Sequence, residues 1–127
     1  MDMMIDFPGG SRVDAHFGSF TVATDQPPES SAPAPFDLFL SSIGTCAGIY
    51  VLGFCQQRNL PTEGIRIIQR SHHSQFSGLV ENIELEIQLP AGFPEKYRDS
   101  VIRSAELCKV KKHLEHPPKF QISTRIG

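Results

Sequence analysis

The sequence carries no surplus of positive charge. Its 12 lysines and arginines are outnumbered by 14 acids, giving a net charge of -2 and a pI near 6.2. Phosphate binding draws on clustered cations, so no nucleic-acid partner is expected, and the one basic patch, Lys109, Lys111 and Lys112, is too short to change that. A targeting signal is lacking too: Met1-Asp2-Met3-Met4-Ile5-Asp6 has two acids where a signal peptide is basic, which predicts a cytoplasmic protein. The cysteines number three, and an odd count argues against a disulfide framework. In a reducing compartment such residues serve as core fillers, metal ligands or catalytic thiols. No phosphate-binding glycine loop, serine nucleophile elbow or paired-carboxylate motif occurs. Tryptophan is absent, and the remaining composition, 39% hydrophobic and 20% charged over 127 residues, fits one compact domain spanning 1–127.

What the chain does have is an uncharged run from Leu38 to Cys55, rich in small and apolar residues, with Cys46 in its middle. A second thiol, Cys108, follows far along the chain, and the pair suggests a two-cysteine redox site. The run meets the lower length limit for a membrane span. Ser41, Ser42, Gly44, Thr45, Ala47, Gly48 and Gly53 make it only moderately hydrophobic and no companion span exists, so it reads as a helix buried in protein, with no membrane partner. A helix apolar all round must be covered all round. One small sheet covers one side, which makes a homodimer the expected source of the rest.

Strands are expected around two helices. Met3, Ile5 and Phe7 alternate with polar residues before Pro8-Gly9-Gly10; Val13, Ala15 and Phe17 alternate after it; Gly18-Ser19 leads to Phe20 and Val22, a small antiparallel meander. Gln26 to Pro35 is a proline- and serine-rich connection. The central helix begins near Pro35 with Asp37 in its first turn and ends around Asn59 to Pro61. Ile65 and Ile67 suggest a strand, Ile83 to Leu89 gives the clearest one, and Phe120, Ile122, Thr124 and Ile126 suggest a last. His72-His73 sits in a polar stretch, Ser71 to Ser77, and reads as a solvated loop pair. Tyr97, Val101, Ala105 and Cys108 share the spacing of one helical face, which aims Cys108 inward. Cys55 follows Cys46 by nine residues, roughly 900° of helix, and so projects from the opposite face as a small buried hydrophobe.

Pro35-Phe36-Asp37-Leu38-Phe39-Leu40-Ser41-Ser42-Ile43-Gly44-Thr45-Cys46-Ala47-Gly48, then Gln57-Arg58-Asn59-Leu60 and Glu63-Gly64-Ile65, and later Cys108-x-Val110-x-x-x-Leu114, resembles the OsmC/Ohr family of thiol peroxidases over nearly the whole chain. The resemblance implies an α+β fold, with antiparallel sheets on a long buried central helix, in an intertwined homodimer with thiol sites near the interface. It also implies reduction of organic hydroperoxides, with Cys46 as the peroxidatic and Cys108 as the resolving cysteine. A thiolate attacking the O–O bond becomes a sulfenic acid that a second thiol captures as a disulfide, and a dithiol reductant reopens it. Two cysteines suffice, with no cofactor and no metal.

The family's glutamate ten residues before the first cysteine is Phe36 here, and the acid is Asp37, as in a less characterised branch. Asp37 then either pairs with a cation near Cys46 or only favours the helix start. The family's cysteine-proline-valine-histidine-arginine run is here Cys108-Lys109-Val110-Lys111-Lys112. Arg12 is the candidate cation beside Cys46, its alternative being a solvated strand residue. In an unbroken helix Cys46 lies too deep to feel the helix N-terminus, so activation calls for that cation or a break at Gly44. Cys108, His113 and His116 offer three zinc-type ligands, but no fourth is assigned and Pro117 breaks the helix directly afterwards. The altered motifs keep a second function open: a non-catalytic relative that binds a small hydrophobic molecule or senses redox state.

Overall fold

The structure, a computed structural model, describes residues 1–127. The chain divides into two compact units, Met1–Ser42 and Ile43–Gly127. In the first, β1 (Met4–Gly9), β2 (Arg12–Phe17) and β3 (Phe20–Thr24) form the expected meander, antiparallel in the order β1-β2-β3. Gly18, at φ +55°, makes the tight turn that sets Phe17 opposite Phe20. Asp6 and Asp14 face each other across β1 and β2. That like-charge pair is relieved by His16, whose Nε2 lies 3.0 Å from Asp6 Oδ1, and by Arg12, whose Nη2 donates to both Asp14 oxygens.

The proline- and serine-rich connection is pinned by one buried carboxylate. Asp25 accepts from the hydroxyls of Ser11 and Ser31 and from the N–H groups of Ser31 and Gln26. Those donors, the Ser11 hydroxyl foremost, hold its carboxyl well below the usual range.

Helix α1 (Pro35–Gln57) starts in the first unit and continues into the second without a break at Gly44. Pro35 takes the first helical position, and Asp37 reaches back so that its carboxylate accepts from the Ala34 N–H at 3.2 Å, the acid half of a capping box. The helix stops at a left-handed Asn59 (φ +53°): the Leu60 N–H donates to the Cys55 carbonyl and the Asn59 N–H to that of Gln56, a Schellman motif. By length and composition α1 could cross a membrane, with a mean hydropathy of 1.8 over its most apolar window. Its Ile43, Ala47, Val51, Phe54 and Cys55 are buried within the second unit, whereas Ser41, Thr45, Ile49, Leu52 and Gln56 form an exposed stripe.

The second unit adds the hairpin β4 (Arg66–His73) and β5 (Val80–Gln88), a 3-10 turn (Glu95–Tyr97), and helices α2 (Arg98–Ala105) and α3 (Lys109–Glu115). Val51, Phe54, Cys55 and Val101 form the core, with Leu60, Ile65, Ile67, Ile87, Phe93 and Tyr97 packed on it. On β5, Ile83, Leu85 and Ile87 turn inward while Glu84 and Glu86 meet Arg70 across the hairpin.

Three expectations need correction. His72 and His73 are not a loop pair but the end of β4, opposite Asn82 and Val80, because backbone pairing with β5 overrides local polarity. Residues 117–127 form no strand, and Phe120, Ile122 and Ile126 lie exposed, since alternation makes a strand only where an edge accepts it. Cys108 does not continue the α2 stripe. The helix ends at Ala105, and Cys108 takes an extended conformation (ψ 124°) as the N-cap of α3.

Candidate functional site

The break between α2 and α3 builds the thiol site. Cys108, in capping α3, accepts the Lys111 N–H at its sulfur (3.4 Å), and its thiol points to the Ile43 carbonyl of α1 at 3.9 Å. Ile43 lies one turn before Cys46 on α1, and the Cys108 thiol donates to the Cys46 sulfur. The sequence-predicted pair is therefore brought together by the structure, although through a cap and not through a helical stripe.

The two sulfurs differ in environment. For Cys46, burial pushes the thiol pKa up, but the Val110 N–H, the Cys108 thiol, the Lys109 N–H and the Lys109 charge together bring it below the ordinary value. For Cys108, burial again raises the pKa; the Lys111 and Val110 N–H groups oppose this, and contact with Cys46 adds to it, so the net shift is upward. Cys46 is partly exposed, Cys108 buried. The arrangement makes Cys46 the more readily ionised sulfur and Cys108 the less, which suits a nucleophile and a sulfur that follows it. Cys55 is fully buried in the core, and burial raises its pKa against the opposing charge of Arg58, whose guanidinium stacks on Phe54 3.8 Å from the ring centroid. It takes no part in the pair.

Sequence reasoning missed the activating groups. Within the second unit the groups that act on Cys46 are the amides of Val110 and Lys109 and the Lys109 charge, which the sequence reading did not name for this site. Arg12 is held in the first unit by Asp14, at 2.8 Å and 3.0 Å. Asp37 is engaged by the Ala34 N–H at the start of α1. His113 Nδ1 lies 2.8 Å from the Lys109 carbonyl of its own helix. The residues whose ligand atoms do cluster are Asp6, Asp14 and His16, within 4.8 Å of one another, and there Arg12 already supplies the positive charge.

The profile of the OsmC-like protein family matches residues 28–123, from the connection before α1 to the C-terminal segment. The chain belongs to the OsmC-like family. Solved structures agree on the α+β fold. An OsmC-like protein from Mycoplasma pneumoniae superposes with a TM-score of 0.73 at 13% identity, covering 91% of this chain and 87% of that one. A protein from Psychrobacter arcticus 273-4, described as an osmotic stress induced and detoxification response protein, gives a TM-score of 0.72 at 19% identity, covering 87% and 85%. A hypothetical protein from Aquifex aeolicus VF5 gives 0.67 at 13%, covering 91% and 87%. No curated protein matches the chain in sequence. Membership is consistent with a stress-response, peroxidase-type role.

Proposed function

We propose that this OsmC-like protein reduces organic hydroperoxides with its two contacting cysteines. The observation that carries the reading is the hydrogen-bonded Cys46–Cys108 pair with pKa shifts of opposite sign. Cys46 thiolate attacks the peroxide O–O bond; the alkoxide leaves, takes up a proton as the alcohol, and Cys46 becomes a sulfenic acid. The Cys108 sulfur then attacks that sulfur, water leaves, and a Cys46–Cys108 disulfide forms. A dithiol reductant returns the pair to thiols, itself becoming a disulfide. Neither metal nor haem takes part.

Intact-protein mass spectrometry after one equivalent of an organic hydroperoxide tests this. The expected product is a Cys46–Cys108 disulfide, two hydrogens lighter. No disulfide, or one between Cys46 and Cys55, overturns the reading. The second reading, a non-catalytic binding or redox-sensing relative, is favoured by Phe36 standing where the family's acid would be and by Asp37 serving the helix start. It is the outcome if Cys46 reacts no faster than free cysteine.

In the same proposal the protein works in the cytoplasm as a homodimer, with neither nucleic acid nor membrane as partner. The uncharged exposed stripe of α1, with Ile49 and Leu52 on it, and the exposed Met4, Ile5 and Phe7 of β1 support self-association. Light scattering at micromolar concentration decides, and a folded monomer refutes it.

A further inference from the structure

We propose that the groove between α1 and α2 binds a small organic acid, its anionic head held by Arg58 and Arg103 and its apolar body laid against Ile49 and Leu107. The site is separate from the thiol pair, and the inference does not rest on the peroxidase reading. The groove, of about 530 Å3, lies within the second unit, and neither Cys46 nor Cys108 lines it. Its volume is that of a small-molecule site.

Two contacts set the spacing of its walls. The Ser104 hydroxyl on α2 donates to the Tyr50 carbonyl of α1 at 2.8 Å, and Phe54 meets Tyr97 edge to face at 5.7 Å. Gly53 keeps the space between them open, since a Cβ there would meet no atom within 4 Å. Arg58 is laid over the Phe54 ring at 3.8 Å and its Nη1 donates to the Phe54 carbonyl at 3.1 Å; across the groove, Arg103 Nη2 donates to the Ser100 hydroxyl at 2.9 Å. A guanidinium carries more N–H donors than either bond uses.

Charge then selects the ligand. Acids outnumber cations in this chain, and Arg12, Arg70 and Arg98 each pair with a carboxylate. Arg58 and Arg103 meet only neutral oxygens, and no aspartate or glutamate lines the groove. Two guanidiniums on facing helices, with no carboxylate to offset them, raise the local potential, and their planar forks match an oxyanion. Beside them Ile49 and Leu107 are exposed. An inorganic anion leaves that apolar surface uncovered, and a neutral apolar molecule leaves the guanidiniums unmatched; an organic acid uses both. Of the exposed α1 stripe only Ile49 borders the groove, so self-association through that stripe does not call on either arginine.

The test is calorimetric titration of the reduced full-length protein with 2-naphthoate, set against 2-naphthamide, which has the same body without the charge. Naphthoate should bind tighter by about tenfold or more; equal affinity, or no binding of the acid, overturns the inference. Arg58→Gln and Arg103→Gln should each weaken the acid by about tenfold to a hundredfold, the worth of one charge-assisted hydrogen bond. Gly53→Leu fills the groove and keeps both charges, and with circular dichroism unchanged it should abolish binding of the acid. Affinity unmoved by these substitutions places the acid elsewhere and refutes the site. Saturating naphthoate should leave single-turnover oxidation of Cys46 by hydroperoxide unchanged, because neither sulfur lines the groove; if it blocks that oxidation, the groove serves the peroxide and the inference falls. The titration itself needs no oxidant, so it decides this inference even if hydroperoxide leaves the protein untouched and the peroxidase reading is lost.

Discussion

Gly44 lies two residues before Cys46 on α1 and faces β4, and Gly44→Ala sets two effects of known size against each other. Alanine is favoured over glycine within a helix by about 0.8–1 kcal/mol. A Cβ here, however, would sit 2.4 Å from Gln69 Oε1, with Gln69 Cδ next at 3.6 Å. No heavy-atom contact survives at the first distance, so the half-buried carboxamide must swing away. Turning it off its rotamer costs about 0.5–1.5 kcal/mol, and disrupting its polar contacts a further 1–3 kcal/mol or so. The clash therefore wins, and the substitution should destabilise by about 0.5–3.7 kcal/mol, the propensity gain subtracted. Replacing Gln69 removes the obstacle: in a Gln69→Ala background the same change should stabilise by about 0.8–1 kcal/mol. Urea unfolding followed by circular dichroism at fixed protein concentration gives all four corners of the cycle. A change of sign between backgrounds is the signature. If Gly44→Ala stabilises the otherwise wild-type chain, or acts alike in both, α1 does not approach β4 as the structure has it.

Lys109→Gln removes the charge on Cys46 but keeps the backbone amides. The rise of thiolate absorbance, and with it peroxide reactivity, should therefore move to higher pH, and an unmoved titration removes Lys109 from the site. Cys108→Ser should consume one equivalent of hydroperoxide and then accumulate sulfinic and sulfonic acid at Cys46, seen as added oxygen mass, whereas Cys46→Ser should consume none. Cys55→Ser should turn over normally while losing about 1–3 kcal/mol in denaturant unfolding, the cost of burying a hydroxyl without a partner. Asp37→Asn should weaken the start of α1 by about 0.3–1 kcal/mol with peroxide reactivity unchanged; a large loss of reactivity with normal melting would instead tie Asp37 to the thiol site.

The central helix was legible because its signals are local: Pro35 at the first position, an uncharged run, and Asn59 adopting the left-handed stop. The alternation of Ile83, Leu85 and Ile87 likewise needs only its own strand. Cys55 could be set apart from Cys46 by arithmetic on the helical turn alone. The path of Cys108 was not legible. Tyr97, Val101, Ala105 and Cys108 keep helical spacing through a point where the helix has already stopped, and neither glycine nor proline marks the break. The stop shows only in three dimensions, where the Cys108 sulfur caps α3. Nor do the amides of Lys109 and Val110 leave a trace in the residue types. Lys109 itself was visible, but in a basic patch weighed for nucleic acid and not for the cysteine next to it. The segment Phe120 to Ile126 shows the converse: a clean alternation with no edge to receive it within the described chain.

The division of roles between the two contacting thiols follows from a shared donor. The Val110 N–H lowers the pKa of both sulfurs, so the one that ionises first claims it. Cys46 has in addition the Lys109 amide and charge, while Cys108 has greater burial working against its anion. Once Cys46 is ionised, the Cys108 proton becomes a donor to it, and the negative charge on Cys46 raises the Cys108 pKa further. Each effect reinforces the other, so ionisation of the pair is directed to Cys46 ahead of Cys108. Formation of a sulfenic acid at Cys46 removes that negative charge. The restraint on Cys108 ionisation is lifted at the step in which its sulfur must attack, and the resolving thiol becomes reactive only after the peroxide has been spent.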